Sequence, residues 1–132
     1  MAPTPLLGHA CKPWAQHERW TSWVAEEFYL LGDKEKALGY SSSVGISAMC
    51  DRDRDLNLPQ MQLGFFDFVV LPLAEEMARV IPACAEAKLH EIAESNYQAW
   101  AIKASLVQAE ETTAMVEEKA TMVLDGAVEE SV

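Results

Sequence analysis

The feature that most limits what this chain can fold into is the stretch Gln62-Leu63-Gly64-Phe65-Phe66-Asp67-Phe68-Val69-Val70-Leu71-Pro72, whose only polar side chains are Gln62 and Asp67. A run this apolar is expected to be buried on most faces, so the rest of the chain has to cover it. Read as a helix, it sets Gln62 and Phe65 one turn apart on one face, with an amide and an aromatic ring pointing into the same space. That pairing suits a flat heterocycle. Gly64 leaves room for a close approach at some cost in helix stability, and Pro72 is expected to kink or restart the helix.

The chain has 132 residues, one domain's worth, and half of them are hydrophobic, enough to bury a core around that stretch. Its net charge of −11 argues against nucleic acid and anionic membranes as partners, because both would repel it. The apolar run is too short to span a membrane and is interrupted by Asp67 and Pro72. Residues Met1 to Leu7 lack the basic segment and apolar core of a secretory signal. Three cysteines, Cys11, Cys50 and Cys84, form neither an even set nor a C-x-x-C pair, so a reducing cytoplasm is the expected setting.

Helical spacing dominates the pattern, and no strand signal of any length is found. Pro13 suits a first turn, and the helix it starts is expected to run to about Leu31 and end at Gly32, with Trp20, Val24, Phe28 and Leu31 as its apolar face. A short helix over Asp33 to Leu38 should then stop at Gly39. Residues 40 to 47 read as a loop. The alternating acids of Asp51-Arg52-Asp53-Arg54-Asp55 resemble a calcium loop. However, Leu56 replaces the turn glycine and Gln62 the bidentate glutamate, leaving a solvated loop with self-compensating charges. From about Pro59 to Val80 the spacing predicts one helix with Leu63, Phe66, Val70, Leu73 and Met77 along one side. After Pro82 a further helix runs from about Ala83 to Lys103, with Leu89, Ile92, Ala93 and Trp100 packing back. Residues 104 to 132 shift to an acidic composition, read as a loosely helical or disordered tail.

The apolar stretch, with Met49-Cys50-Asp51-Arg52 before it and Leu71-Pro72-Leu73 at its end, resembles the C-terminal part of the catalytic domain of class I 3′,5′-cyclic-nucleotide phosphodiesterases. Lys12-Pro13-Trp14, Arg19-Trp20-Thr21, Glu26-Glu27-Phe28 and Gly32-Asp33-Lys34-Glu35 resemble the preceding part of that domain, in the same order. The likeness covers about residues 8 to 103. It implies an all-α fold of about four to six helices, the C-terminal part of an HD-type multi-helix catalytic domain, with residues 1 to 7 unrelated to it.

The resemblance also implies roles. Gln62 would bind the purine, Phe65 would stack on it, and Val24 would close the other side. His9 and Met49 would line the pocket. Without the resemblance, each of these residues reads as ordinary packing or surface. The resemblance implies hydrolysis of cAMP or cGMP with two divalent metal ions in the complete domain, zinc and magnesium, held by histidine-aspartate motifs. This chain has none of those motifs. His9, His17 and His90 stand at no spacing that joins them on one face, and Leu6 occupies the place of the last metal-binding aspartate. The expectation is therefore a piece of a phosphodiesterase carrying the purine-binding wall, with no catalytic or metal-binding residue of its own. The alternatives are a non-catalytic nucleotide-binding module and an unrelated helical interaction domain. All three leave aromatic helix faces exposed, which favours self-association.

Overall fold

The computed structural model describes residues 8–40, 48–53 and 58–129; among them every regular element is helical. The expectations for Leu6, the 41–47 loop and Arg54 to Leu56 fall outside the described residues. After a 3-10 turn at His9–Cys11 comes α1 (Trp14–Ala37), then a second 3-10 turn at Ala48–Cys50. The apolar stretch follows as α2 (Leu58–Phe65), a π-helical turn (Phe66–Val70) and α3 (Leu71–Val80). The chain continues with α4 (Pro82–Glu86) and α5 (Leu89–Glu129).

Helix α1 is entered through the extended backbone of Pro13 and leaves through Gly39, whose φ of +89° is open to glycine without strain. The expected break at Gly32 does not occur. Gly32 is buried inside the helix because the Cys50 carbonyl lies against it; a Cβ there would stand 1.8 Å from that oxygen. Glycine here serves close approach rather than termination. Around the same contact, Lys36 donates to Asp51 and Asp53 at 2.5 Å each, and Arg52 pairs with Glu26 and Asp33. Among the described residues of this run, Asp51, Arg52 and Asp53 thus find charged partners on α1, with Asp51 buried.

The α-helix restarts at Leu71 with Pro72 in its first turn, and the restart runs through a π turn. The backbone N–H of Leu71 bonds the carbonyl of Phe66, five residues back, so the chain widens by one residue just before the proline. This relieves the clash that a proline ring makes with the preceding turn of a regular helix. The widening also selects which side chains are covered. Phe66, Val70 and Ala74 are buried, whereas Leu73 is exposed and Phe68 is 86% exposed. The stretch is therefore buried along one line, not on most faces.

Ala10, Phe66, Val70, Ala74, Ala93 and Trp100 form the core, with Trp14, Leu63, Phe65 and Tyr97 packed on it. Asn96 of α5 donates both amide hydrogens, to the carbonyls of Ala10 and Lys12 at 2.8 Å each, and so clamps the first turn onto the core. Two differences from the sequence pattern follow from this arrangement. The covered line of α1 is Trp14, His17, Thr21 and Gly32, while Trp20 and Leu31 of the expected apolar face are exposed, as is Trp23. In addition, the last helix starts after a left-handed turn at Lys88 (φ +53°) and runs past Lys103 to Glu129, with residues 108–127 all exposed.

Candidate functional site

A cavity of about 420 Å³ opens between α1, α2 and the Ala48–Cys50 turn, within the range of about 300–1,000 Å³ common for small-molecule sites. Gln62, Phe65, Val24, His9 and Met49 all line it. Their gathering follows from three local decisions. The helical turn between Gln62 and Phe65 points both side chains one way. The contact of Cys50 with Gly32 brings Met49 beside α1. The Asn96 clamp holds His9 at the cavity's end.

Sequence reasoning missed Thr21, Ala25, Phe28, Tyr29, Leu58 and Met61, which complete the lining. Phe28 and Thr21 carried a signal, since both lie at helical spacing from Val24. Met61 carried none beyond its place next to Gln62.

Two polar atoms in this lining lack a partner. The Gln62 Oε1 and the Thr21 Oγ1 are buried and accept or donate no hydrogen bond among the described residues. A buried polar atom left unpaired costs about 1–3 kcal/mol, so an apolar cavity holding two of them is poised for a ligand that supplies hydrogen-bonding groups.

Behind the cavity lies a hydrogen-bonded chain that the sequence did not reveal. Trp100 Nε1–H donates to His17 Nε2 at 2.7 Å, and His17 Nδ1 stands 2.9 Å from His9 Nδ1. An indole N–H only donates, so His17 Nε2 is unprotonated and its proton sits on Nδ1, donated to His9. The ring of His17 is fully buried, stacked on His9 and edge-on to Phe66 and Trp100. Burial first, and the neighbouring His9 second, lower its pKa to about 4, so it is neutral near pH 7. His9 and His17 meet although they lie on separate elements, the first turn and α1, which fold together around Lys12-Pro13, so no helix-face spacing announced the pair.

Among the described residues, no group of three or more His, Cys, Asp or Glu side chains converges in a way that could hold a metal ion. Both ring nitrogens of His17 are already engaged. Nor is any described helix long and apolar enough to cross a membrane.

Comparison with known proteins places this geometry in a family context. The sequence profile of the 3′5′-cyclic nucleotide phosphodiesterases matches residues 6–92. The dual specificity calcium/calmodulin-dependent 3′,5′-cyclic nucleotide phosphodiesterase 1B of Bos taurus is 44% identical over 66 residues, covering 50% of this chain and 11% of that protein. A 3′,5′-cyclic-AMP phosphodiesterase (isoform F) of Drosophila melanogaster is 39% identical over 75 residues, covering 57% of this chain and 11% of that protein. The solved structure of Leishmania LmjPDEB1 in complex with IBMX superposes with a TM-score of 0.61 at 29% identity, over 70% of this chain and 26% of that one. The chain spans about a tenth of the length of these curated relatives and about a quarter of the solved chain. With the profile matching well over half of its residues and the helices superposing on a solved relative, this chain belongs to the 3′5′-cyclic nucleotide phosphodiesterase family.

Proposed function

We propose that the cavity is the base-recognition wall of a cyclic-nucleotide site, with residues 8 to 103 forming that wall and the acidic segment from residue 104 lying outside it. The observation that carries this reading is the unpartnered, buried amide oxygen of Gln62 beside the Phe65 ring. In this arrangement Phe65 stacks on the purine, Val24 presses on its other face, and the Gln62 amide meets the base edge. An amide offers donor and acceptor side by side, so either adenine or guanine can be met. His9 and Met49 close the ends of the slot.

The described residues do not fit the divalent metals used in the family's hydrolysis, since they bring together no suitable donor set. We therefore assign this chain binding without a hydrolytic step of its own, as one part of a phosphodiesterase acting on cAMP or cGMP. All three cysteines are free, which suits a cytoplasmic setting. The exposed Trp20 and Trp23, packed edge to face at 5.3 Å, support a second reading as a helical interaction module.

Nucleotide titration separates the two. A base of about ten heavy atoms at roughly 0.4 kcal/mol each binds at about millimolar Kd, accessible to saturation-transfer NMR with cAMP and cGMP. Gln62→Ala is expected to raise that Kd about tenfold, the loss of one buried hydrogen-bonding group. Equal binding by both proteins, or none by either, would leave the interaction module as the function.

A further inference from the structure

We propose that the outer half of α5 is the seam of a parallel two-stranded coiled coil formed with a second copy of this chain. From Ile102 onward the helix carries Ile102, Leu106, Ala109, Thr113, Val116, Ala120, Val123 and Ala127 at alternating spacings of four and three. This repeat is sustained over nearly four heptads, with Ile102, Ala109, Val116 and Val123 on one row and Leu106, Thr113, Ala120 and Ala127 on the other. Every one of these residues is exposed. The only polar member, Thr113, already bonds its hydroxyl to the Ala109 carbonyl at 2.9 Å, so its methyl group is free to enter an apolar seam.

Three observations indicate a second copy as the occupant. First, an isolated straight helix drifts by about 20° per heptad from a seven-residue repeat, so a strict heptad stays in line only when two helices supercoil. Second, the seam faces away from the body. At about 100° per residue, these positions centre roughly opposite Trp100 and Ala104, which are buried against the core. Among the described residues nothing covers that side of the helix, over a seam of about 39 Å. Third, the flanking charges permit the parallel, in-register arrangement. Glu110 of one copy falls beside Ser105 of the other, and Glu117 beside Thr112, while Glu111, Glu118 and Asp125 lie on the outer face. An antiparallel pair overlapping along the whole seam, centred between residues 114 and 115, would instead bring Glu110 of one copy beside Glu117 of the other. The unsupported helix beyond Val107, about twenty residues with several threonines, is marginal alone and gains its stability from such pairing.

Sedimentation of the full chain tests this. The wild type is expected to run as a dimer. Val116→Glu, at a fully solvated position of the single chain, should weaken dimerisation by roughly 30-fold or more without changing tryptophan emission. Met115→Glu, next door but off the seam, should leave it within about twofold, the scatter of surface substitutions. Val123→Cys should cross-link under mild oxidation where the wild type, with its own cysteines, does not. A monomeric wild type, equal weakening by Met115→Glu, a dimer that survives Val116→Glu, or no cross-link at position 123 would each overturn the parallel pair.

Discussion

Trp100→Ala is expected to destabilise the fold by about 3–5 kcal/mol, read as a lower urea midpoint with an unchanged slope. Trp100 is buried, edge-on to Trp14 at 5.0 Å, and its ring joins α5 to α1. Removing it opens a cavity where α5 packs on α1. It also strips His17 Nε2 of its donor inside an apolar core. Trp100→Phe separates these contributions, since it keeps most of the packing and loses only the N–H. That variant should lose about 1–3 kcal/mol, the cost of an unsatisfied buried acceptor. If Trp100→Ala moved stability by less than about 1 kcal/mol, the histidine chain and the core built around it would be wrongly placed.

A second large effect is expected on acidification. In the folded chain His17 holds its pKa near 4, while in the unfolded chain it titrates near its ordinary 6.5. The unfolded state therefore takes up the proton first as pH falls. This part of the stability is complete above about pH 6.5, declines as pH drops toward about 4, and amounts to about 3 kcal/mol. Protonation at Nε2 would also displace the Trp100 donor, so the same event loosens α5 from α1. Urea titrations of the wild type and His17→Gln at a series of pH values isolate the contribution. The wild type should lose more stability than the variant between pH 6.5 and 4. Parallel curves would mean that His17 is not buried in its neutral form.

The all-helical fold and the five cavity residues were foreseen for different reasons. Helical spacing reports that a face is apolar, and it located α1, the long helix through the apolar stretch, and α5. Spacing does not report which partner covers that face. The Trp20, Val24, Phe28 and Leu31 line of α1 looked like core, yet Trp20 and Leu31 are exposed. What is covered is the line through His17 and Thr21, because Asn96 fixes the first turn there and Trp100 approaches from α5. Gly32 read as a stop because its real cause, the Cys50 carbonyl eighteen residues further on, is invisible to local rules. Pro72 read as a kink or restart, and the α-helix does restart at Leu71; what no residue type announces is the π turn, closed by a backbone bond, through which it does so. Helical spacing put Gln62 and Phe65 on one face, one turn apart, but only the resemblance raised that pair above ordinary packing. Val24, His9 and Met49 came from resemblance alone, as they lie on separate elements that only the folded chain brings around one cavity.

The most direct test of the base-recognition wall is to locate the nucleotide on the protein. With cAMP in excess, intermolecular NOEs from the purine H2 and H8 protons are expected to reach the Phe65 ring and the Val24 methyl groups, and to weaken clearly in Gln62→Ala. NOEs confined to the exposed Trp20 and Trp23, or unchanged in Gln62→Ala, would contradict the assignment of this cavity to the purine.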